Sequence, residues 1–489
     1  MVWTAAALVL AAGHVAVAQT SGSQSSDSNT LQSVQAVQQQ VSQPGPSVTP
    51  TAGTSDPSYR GSIVREQATN TVLALSIDDA IQRGLRNNLG LVLQSSSEKE
   101  SSGKRLQQLQ TLLPTVDLSA KYQVQQINLA AYGLKFPGVN PIIGPFQLFD
   151  FRASLTQNLV NLPALENYIS SKHNFQSAQL TAQDARDLVV LTVGNAYLLC
   201  IADQARIEAV KAQLATAQIS LDQANANHEA GTAPRLDVLR AQVDHKNEEQ
   251  QLISTRNSFE KDKLALARAI GLPLDQQYTL SDTAPYQALN TPDPDAAFQQ
   301  ALSHRKDLAA AAENYKAAES SRKAAVYEQL PSAQASADYG DIGTTPGHSH
   351  STYTATGTIS SPVLQIARMR GDQQVANASK DQAAAKYSDA VQQVNADVRD
   401  SILDIQTAAK LVDAAKSNVD LAQEALSEAQ QRYKVGVSDS LPVSQALTQY
   451  EQANDQYISA LYQHNVAKLA LARALGVAAT NSKDYLGGK

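Results

Sequence analysis

The phrase Leu264-Ala265-Leu266-Ala267-Arg268-Ala269-Ile270-Gly271 returns as Leu469-Ala470-Leu471-Ala472-Arg473-Ala474-Leu475-Gly476, an offset of 205 residues from Gly271 to Gly476. A second glycine pair, Gly231 and Gly436, has the same offset of 205. Most of the chain is therefore two copies of one unit of roughly two hundred residues, and such self-similarity governs the fold before any local motif does. The function must be one that a tandem duplication can build.

Length alone would allow about three or four domains in 489 residues. The duplication replaces that expectation with two intimately packed halves. Aromatic residues make up only 5% of an alanine-rich chain, which is the profile of long helices packed through small side chains. A net charge of −7 without any basic run argues against a nucleic-acid partner, since phosphate binding needs clustered Lys and Arg. The single cysteine, Cys200, excludes an internal disulfide and any cysteine-based metal cluster. It lies in Leu198-Leu199-Cys200-Ile201, so it reads as a small core residue rather than a reactive thiol.

Residues 1–18 read as a signal peptide: an apolar core from Ala5 to Ala12, then Ala16-Val17-Ala18 as a small-x-small cleavage site. The positive charge usual before such a core is missing. With no cysteine near the cleavage point, N-terminal lipidation is excluded. Residues 19–72 are rich in Ser, Gln, Thr and Pro, too poor in large apolar groups to offset ordering entropy, and are expected to form a disordered tail. No later run reaches the roughly 18 apolar residues of a membrane-spanning helix. The two copies are placed at 73–280 and 290–480, with a short tail at 481–489.

Each copy opens on an amphipathic helix. Ser76 stands three residues before Asp79 as a cap, with Ala80, Ile81 and Leu85 at helical spacing; Asp295, Ala296, Ala297, Phe298 and Leu302 match it. Both helices are expected to end at a Leu-Pro, Leu113-Pro114 and Leu330-Pro331, because proline disfavours the helical conformation of the residue before it. From there the apolar period changes to 2. Val116, Leu118, Ala120, Tyr122 and Val124 form one strand face, and Phe149, Phe151, Ala153 and Leu155 another, across a loop containing Pro137, Gly138, Pro141 and Pro145. The second copy repeats the pattern more weakly through Ala333, Ala335, Ala337, Tyr339, Tyr353, Ala355 and Ile359. The Leu-Pro pair is offset by 217 rather than 205, and the excess of 12 falls in the longer first loop.

Long helices follow. Between Leu165 and Glu229 there is no proline and only Gly194, and between Ala367 and Val435 only Gly371. Sixty-odd helical residues would extend roughly 95–100 Å, far beyond the roughly 30 Å of a lipid core. Each then turns at Gly231 or Gly436 and returns to Gly271 or Gly476. Four half-apolar strands are too few to close a membrane barrel, whose smallest forms have about eight. Open edges are not tolerated in lipid, so the missing strands must come from other chains, and a trimer would supply twelve in all.

In this order the residues resemble the outer membrane efflux protein family, the TolC-like channel tunnels of Gram-negative envelopes. Beyond the duplication, the resemblance rests on Arg305-Lys306-Asp307-Leu308 (similar to the family's Arg-Pro-Asp-Leu), Arg432-Tyr433-Lys434-Val435-Gly436 and Ala472-Arg473-Ala474-Leu475-Gly476, and it covers about residues 75–480. It implies a mainly α fold with a small β part and two tandem repeats. The homotrimer would combine a twelve-stranded barrel in outer-membrane lipid with a long periplasmic α-helical barrel. It would serve as the exit duct of a tripartite efflux or type I secretion system, passing cargo from an inner-membrane pump and a periplasmic adaptor, with no cofactor and no catalytic site. By the same resemblance the turns at Ala230, Gly231, Thr232 and at Val435, Gly436, Val437 lie at the periplasmic tip, where the adaptor docks.

Aperture candidates there are Asp237, which matches a family acid six residues past the glycine, and Tyr433, which matches a tyrosine that holds the tip closed. In the second copy the family's acids six and nine residues past the glycine are replaced by Pro442 and Gln445, leaving Asp439 as a nearby substitute. The plainer alternatives are a helix N-terminal acid for Asp237 and simple packing for Tyr433. His348-Ser349-His350 reads as a solvated loop rather than a metal site. Two rival readings stand: a periplasmic coiled-coil spacer without channel activity, and a secreted enzyme, for which no acid/base or nucleophile cluster is present.

Overall fold

The computed structural model describes residues 56–134, 136–138, 140–282, 286–480 and Tyr485. The signal-peptide segment and most of the expected tail lie outside these residues, but 56–72 does not behave as a disordered tail. Pro57–Arg60 form a short 3₁₀ turn capped by Asp56, and Tyr59 is buried in the core. The Asn88 side chain donates to the Tyr59 carbonyl at 2.6 Å, so one aromatic anchor and its backbone bonds order a segment that composition alone marks as loose.

Each repeat begins with a broken helix: α1 (Ile77–Asn87) and α2 (Leu89–Gln110) in the first, α5 (Pro294–His304) and α6 (Lys306–Tyr327) in the second. The expected Ser76 cap is formed, its side chain accepting from the Asp79 amide. The sequence reading expected one continuous helix; instead Asn88 (ψ 132°) and Arg305 (ψ 117°) are extended and interrupt it, 217 residues apart. The cause lies across the fold. Gly271 and Gly476 terminate the returning helices with φ of +78° and +73° and press against these breaks. A Cβ on Gly271 would lie 2.6 Å from Asn87 Cβ, and one on Gly476 would lie 2.8 Å from Arg305 N. Glycine thus serves there both for the left-handed turn and for close approach.

The long helices are α3 (Leu162–Glu229, 68 residues) and α7 (Ile366–Lys434, 69 residues), returning as α4 (Arg235–Ile270) and α8 (Leu441–Ala474). Val189, Val193, Tyr197 and Cys200 are buried on α3, and Val394, Val398, Ile402 and Ile405 on α7, each pair offset by 205. These stripes make two related cores at a waist, completed by Leu266 and Ile270 in one and Leu471 and Leu475 in the other. Burial pushes the Cys200 thiol up to about 12, in keeping with a packing role. By length and composition α3 could cross a membrane, contrary to the sequence reading, but 56% of that apolar window is buried inside the fold. A parallel pair, β1 (Leu73–Leu75) with β4 (Tyr278–Leu280), seals the first core. Tyr485 packs half-buried against both cores.

Four strands form the second layer of structure: β2 (Thr115–Asn128), β3 (Ile142–Val160), β5 (Ser332–Gly343) and β6 (Ser349–Ser360). They pair antiparallel in the order β2-β3-β5-β6, leaving β2 and β6 as edges. The registers put Leu118, Ala153, Tyr339 and Tyr353 in one row across the sheet, and Val116, Leu155, Ala337 and Ala355 in the next. This apolar face is exposed: Leu118 is 73% and Tyr353 80% accessible. On the opposite face Ser119, Arg152, Gly340 and Thr352 align. Arg152 reaches Asp150, Asp338 and Thr352 there. Gly340 stands directly across from Arg152, and a Cβ there would fall 2.7 Å from Arg152 Cα. Alternation therefore sorts apolar from charged groups, but the outward face carries what a soluble sheet would bury.

Candidate functional site at the helical tip

Both hairpin turns close in the same way. At the end of α3 the Gly231 amide donates to the His228 carbonyl and the Thr232 amide to the Asn227 carbonyl, each at 2.9 Å. At the end of α7 Gly436 donates to Tyr433 (3.1 Å) and Val437 to Arg432 (3.0 Å). This is the Schellman pattern, which needs a left-handed residue at its centre; Gly231 and Gly436 supply it with φ of +73° and +77°. No neighbour lies within 4 Å of a Cβ built on either glycine, so conformation alone selects them. The docking candidates Ala230, Thr232, Val435 and Val437 are all exposed. Val435 and Val437 are 71% and 76% accessible, an apolar pair held out from the end of the hairpin.

The aperture candidates separate into two pairs. Asp237, in the first turn of α4, is only 3% exposed. Its Oδ1 accepts a 2.8 Å hydrogen bond from Ser440 Oγ, and Arg240 Nη1 stands 3.6 Å away. Tyr433 is also buried, packed with Ala217, Leu426, Val443 and Leu447. Burial raises its phenol pKa, Asn227 opposes the rise and Asp237 adds to it. Together with Ser440, Tyr433 lines a cavity of about 20 Å³ between the two hairpins, enough for about one water. Asp439 and Gln445, by contrast, are exposed, and Asp439 Oδ1 is used only to cap the Leu441 amide at 3.3 Å.

The structure therefore joins the first copy's acid to the second copy's serine. Ser440 escaped the sequence reading because its partner is 203 residues distant. Its position just before Pro442 marks it only as a helix cap, a role its side chain does not fill.

A second junction between the copies lies farther from the turns. A groove of about 240 Å³ runs between α3, α4 and α8, lined by Arg206, Gln213, Glu248, Glu451 and Asp455 among others. Glu248 is 6% exposed, and among the described residues its Oε2 has no hydrogen-bond donor. Burial, then Glu248, then Asp244 push Glu451 up to about 8. Arg206 is held by Asp203 (3.0 Å) and Asp455 (2.9 Å). Among the described residues no group of three or more His, Cys, Asp or Glu side chains is placed to hold a metal ion.

The waist holds its own charge network. Arg305 donates to both oxygens of Asp307 (3.0 and 2.6 Å) and to Asp397 at 2.6 Å, while Arg473 pairs with Asp184 at 2.8 Å. Burial lifts Asp184 to about 6 despite Arg473. Burial also works against the Asp307 charge, yet the Arg305 hydrogen bonds outweigh it and hold that carboxyl below its ordinary value.

A duplicated helical shaft carrying a half-apolar sheet at one end and glycine-turned hairpins at the other defines a channel-tunnel class of fold. The profile of the outer membrane efflux protein family matches residues 80–272 and 297–477, and the chain belongs to that family. It is 28% identical over 324 residues to the probable efflux pump outer membrane protein SepC of Pseudomonas putida, 64% of each chain. The toluene efflux pump outer membrane protein TtgF of the same species matches to the same extent, so the aligned region spans 64% of these relatives' length. Among solved structures, VceC of Vibrio cholerae superposes with a TM-score of 0.73 at 20% identity, covering 82% of this chain and 96% of that one. CmeC of Campylobacter jejuni gives 0.73 at 16% identity, covering 88% and 94%. Both likenesses concern the fold.

Proposed function

We propose that this protein is the outer-membrane exit duct of a tripartite efflux or type I secretion assembly, working as a homotrimer. The observation that carries the reading is the four-stranded sheet: two open edges, an exposed apolar face and a charged opposite face. Such a sheet is stable in lipid only when closed. Three copies joined β6 to β2 supply a twelve-stranded barrel, apolar outside and polar within. The long hairpins then continue the cylinder through the periplasm, where the adaptor docks on the exposed turns at Ala230–Thr232 and Val435–Val437. The duct performs no chemistry and draws no energy; the pump does both. Relatives in this family carry names referring to toluene efflux and pyoverdine export, chemically unrelated cargoes, which supports a conduit that leaves selection to its partners.

Closure of the tip is assigned to Asp237, Ser440 and Tyr433, which tie one hairpin to the other, with Asp439 and Gln445 presented to solvent beside them. The reading is tested by reconstituting the full-length protein in planar bilayers and recording single-channel conductance of the wild type and of Asp237→Ala. A heat-sensitive trimer that conducts, and conducts more when Asp237 is removed, is the expected result. Release from membranes by salt, or a chain that never conducts, would sink it in favour of a periplasmic spacer.

A further inference from the structure

The tip cluster holds a single carboxylate, Asp237, with a serine hydroxyl on it and Arg240 nearby. The groove above it holds more than one. Glu248 lies eleven residues beyond Asp237 on α4, roughly 16 Å or three turns along the axis. There it meets Glu451 of α8, within hydrogen-bonding reach across the boundary between the copies. Two ionised carboxylates at that distance repel strongly where one is buried and the other half-buried, and such pairs titrate as one unit. Further charged groups face the pair. Asp244 on α4 and Asp455 on α8 are further acids, and Arg206 on α3 is already engaged by Asp203 and Asp455. Among the described residues these acids are not grouped in threes as a metal ion would need, so the pair is poorly equipped to cage one. A shared proton supplies both the missing donor for Glu248 Oε2 and the removal of one charge.

We propose that Glu248 and Glu451 share one proton and so latch α4 to α8, and that loss of this proton drives the two hairpins apart and widens the tip. The inference rests on the channel reading and adds its regulation. Protonated, the pair is a carboxylic acid donating to a carboxylate, a charge-assisted hydrogen bond of the strong kind. Deprotonated, it becomes two like charges next to Asp244, and the groove, open to solvent along its length, offers water a path in. The switch works at alkaline pH, because the environment raises the Glu451 carboxyl to about 8. Its direction is opposite to that of an acid-opened gate.

Two readouts on the purified full-length trimer test this. Infrared difference spectra between about pH 7 and pH 9 should show loss of a protonated-carboxyl band in the wild type, and this change should be absent in Glu451→Gln. Conductance in planar bilayers should rise severalfold over the same range in the wild type. It should stay low and flat in Glu451→Gln, where the amide is a permanent donor to Glu248. Glu248→Gln serves as the second variant and should also lose the pH step; retention of the heat-sensitive trimer certifies folding of both. A carboxyl band that titrates identically in wild type and Glu451→Gln overturns the shared proton. A Glu451-dependent band with pH-independent conductance overturns its control of the tip. A chain that conducts at no pH, even as Asp237→Ala, overturns the channel reading instead, while the infrared result stands by itself.

Discussion

The two copies meet at the waist and at the tip, and the two junctions are built on different physics. At the waist, apolar stripes at matching positions are backed by Arg305, Asp307, Asp397, Arg473 and Asp184, with Arg305 only 7% exposed and bonded to two carboxylates. Toward the tip, the copies are tied by the Ser440–Asp237 hydrogen bond, the buried Tyr433, the Glu248–Glu451 pair and the Arg206–Asp455 ion pair. The waist cannot move without exposing charge and core together. The tip can part by breaking a few separate polar contacts, with little apolar surface exposed. The duct proposed above, which would stay assembled while its end opens, needs this division, since low local stability belongs to the moving element.

The largest test is at the waist. Arg305→Ala takes the shared partner from Asp307 and Asp397, both about a third exposed, and so loosens the second copy's side of that junction. It is expected to cost about 3 kcal/mol, read as a fall in the unfolding temperature. If it costs no more than a tip substitution, the two junctions do not differ as described. Next comes acid. His464 on α8 is fully buried, its ring tilted against that of Tyr286 with centroids 5.0 Å apart, and burial then Lys468 lower its pKa to about 4, with Asp413 opposing. Below pH 6.5 the unfolded chain takes up a proton that the folded His464 refuses. Stability should therefore be full above pH 6.5 and fall by roughly 3 kcal/mol as the pH drops to about 4. His464→Gln should flatten that slope in a pH series of thermal melts. The α8 segment leading into the waist thus weakens in acid, while the proposed Glu248–Glu451 latch weakens in base. The smallest effect sharpens the contrast: Ser440→Ala removes one donor from Asp237 and should cost about 1–2 kcal/mol. Hydrogen exchange should detect it as faster exchange at the hairpin ends, with the waist amides unchanged.

Much of the architecture was readable from residues. The 205-residue offset, the glycine turns, the two long helices and the strand alternation all depend on local rules, namely periodicity, proline exclusion and left-handed glycine. The breaks at Asn88 and Arg305 were not readable, because nothing at those positions forbids a helix; Gly271 and Gly476 press on them from other elements. Tyr59 was hidden for the same reason. At the tip the sequence pointed to Asp237 and Tyr433 but treated them as groups near an opening. The fold buries both, and it left Asp439 and Gln445 exposed beside them.

The phrase repeated at Leu264–Gly271 and Leu469–Gly476 contains both lessons. Leu264 is exposed where Leu469 is buried, but three of the phrase's apolar letters meet the same fate twice: Leu266, Ala267 and Ala269 are buried like Leu471, Ala472 and Ala474, because helical spacing turns them to the same face. Its one charged letter does not. Arg268 is exposed, whereas Arg473 is drawn into the waist by Asp184. The sequence determined two helical hairpins, their turns and a sheet sorted into apolar and polar faces, since these follow from neighbours along the chain. Only the tertiary structure decided which charges meet across the copies, at Arg473–Asp184, Ser440–Asp237 and Glu248–Glu451. Each of those pairings joins residues about two hundred or more positions apart, whose chemistry depends on burial that no local pattern encodes.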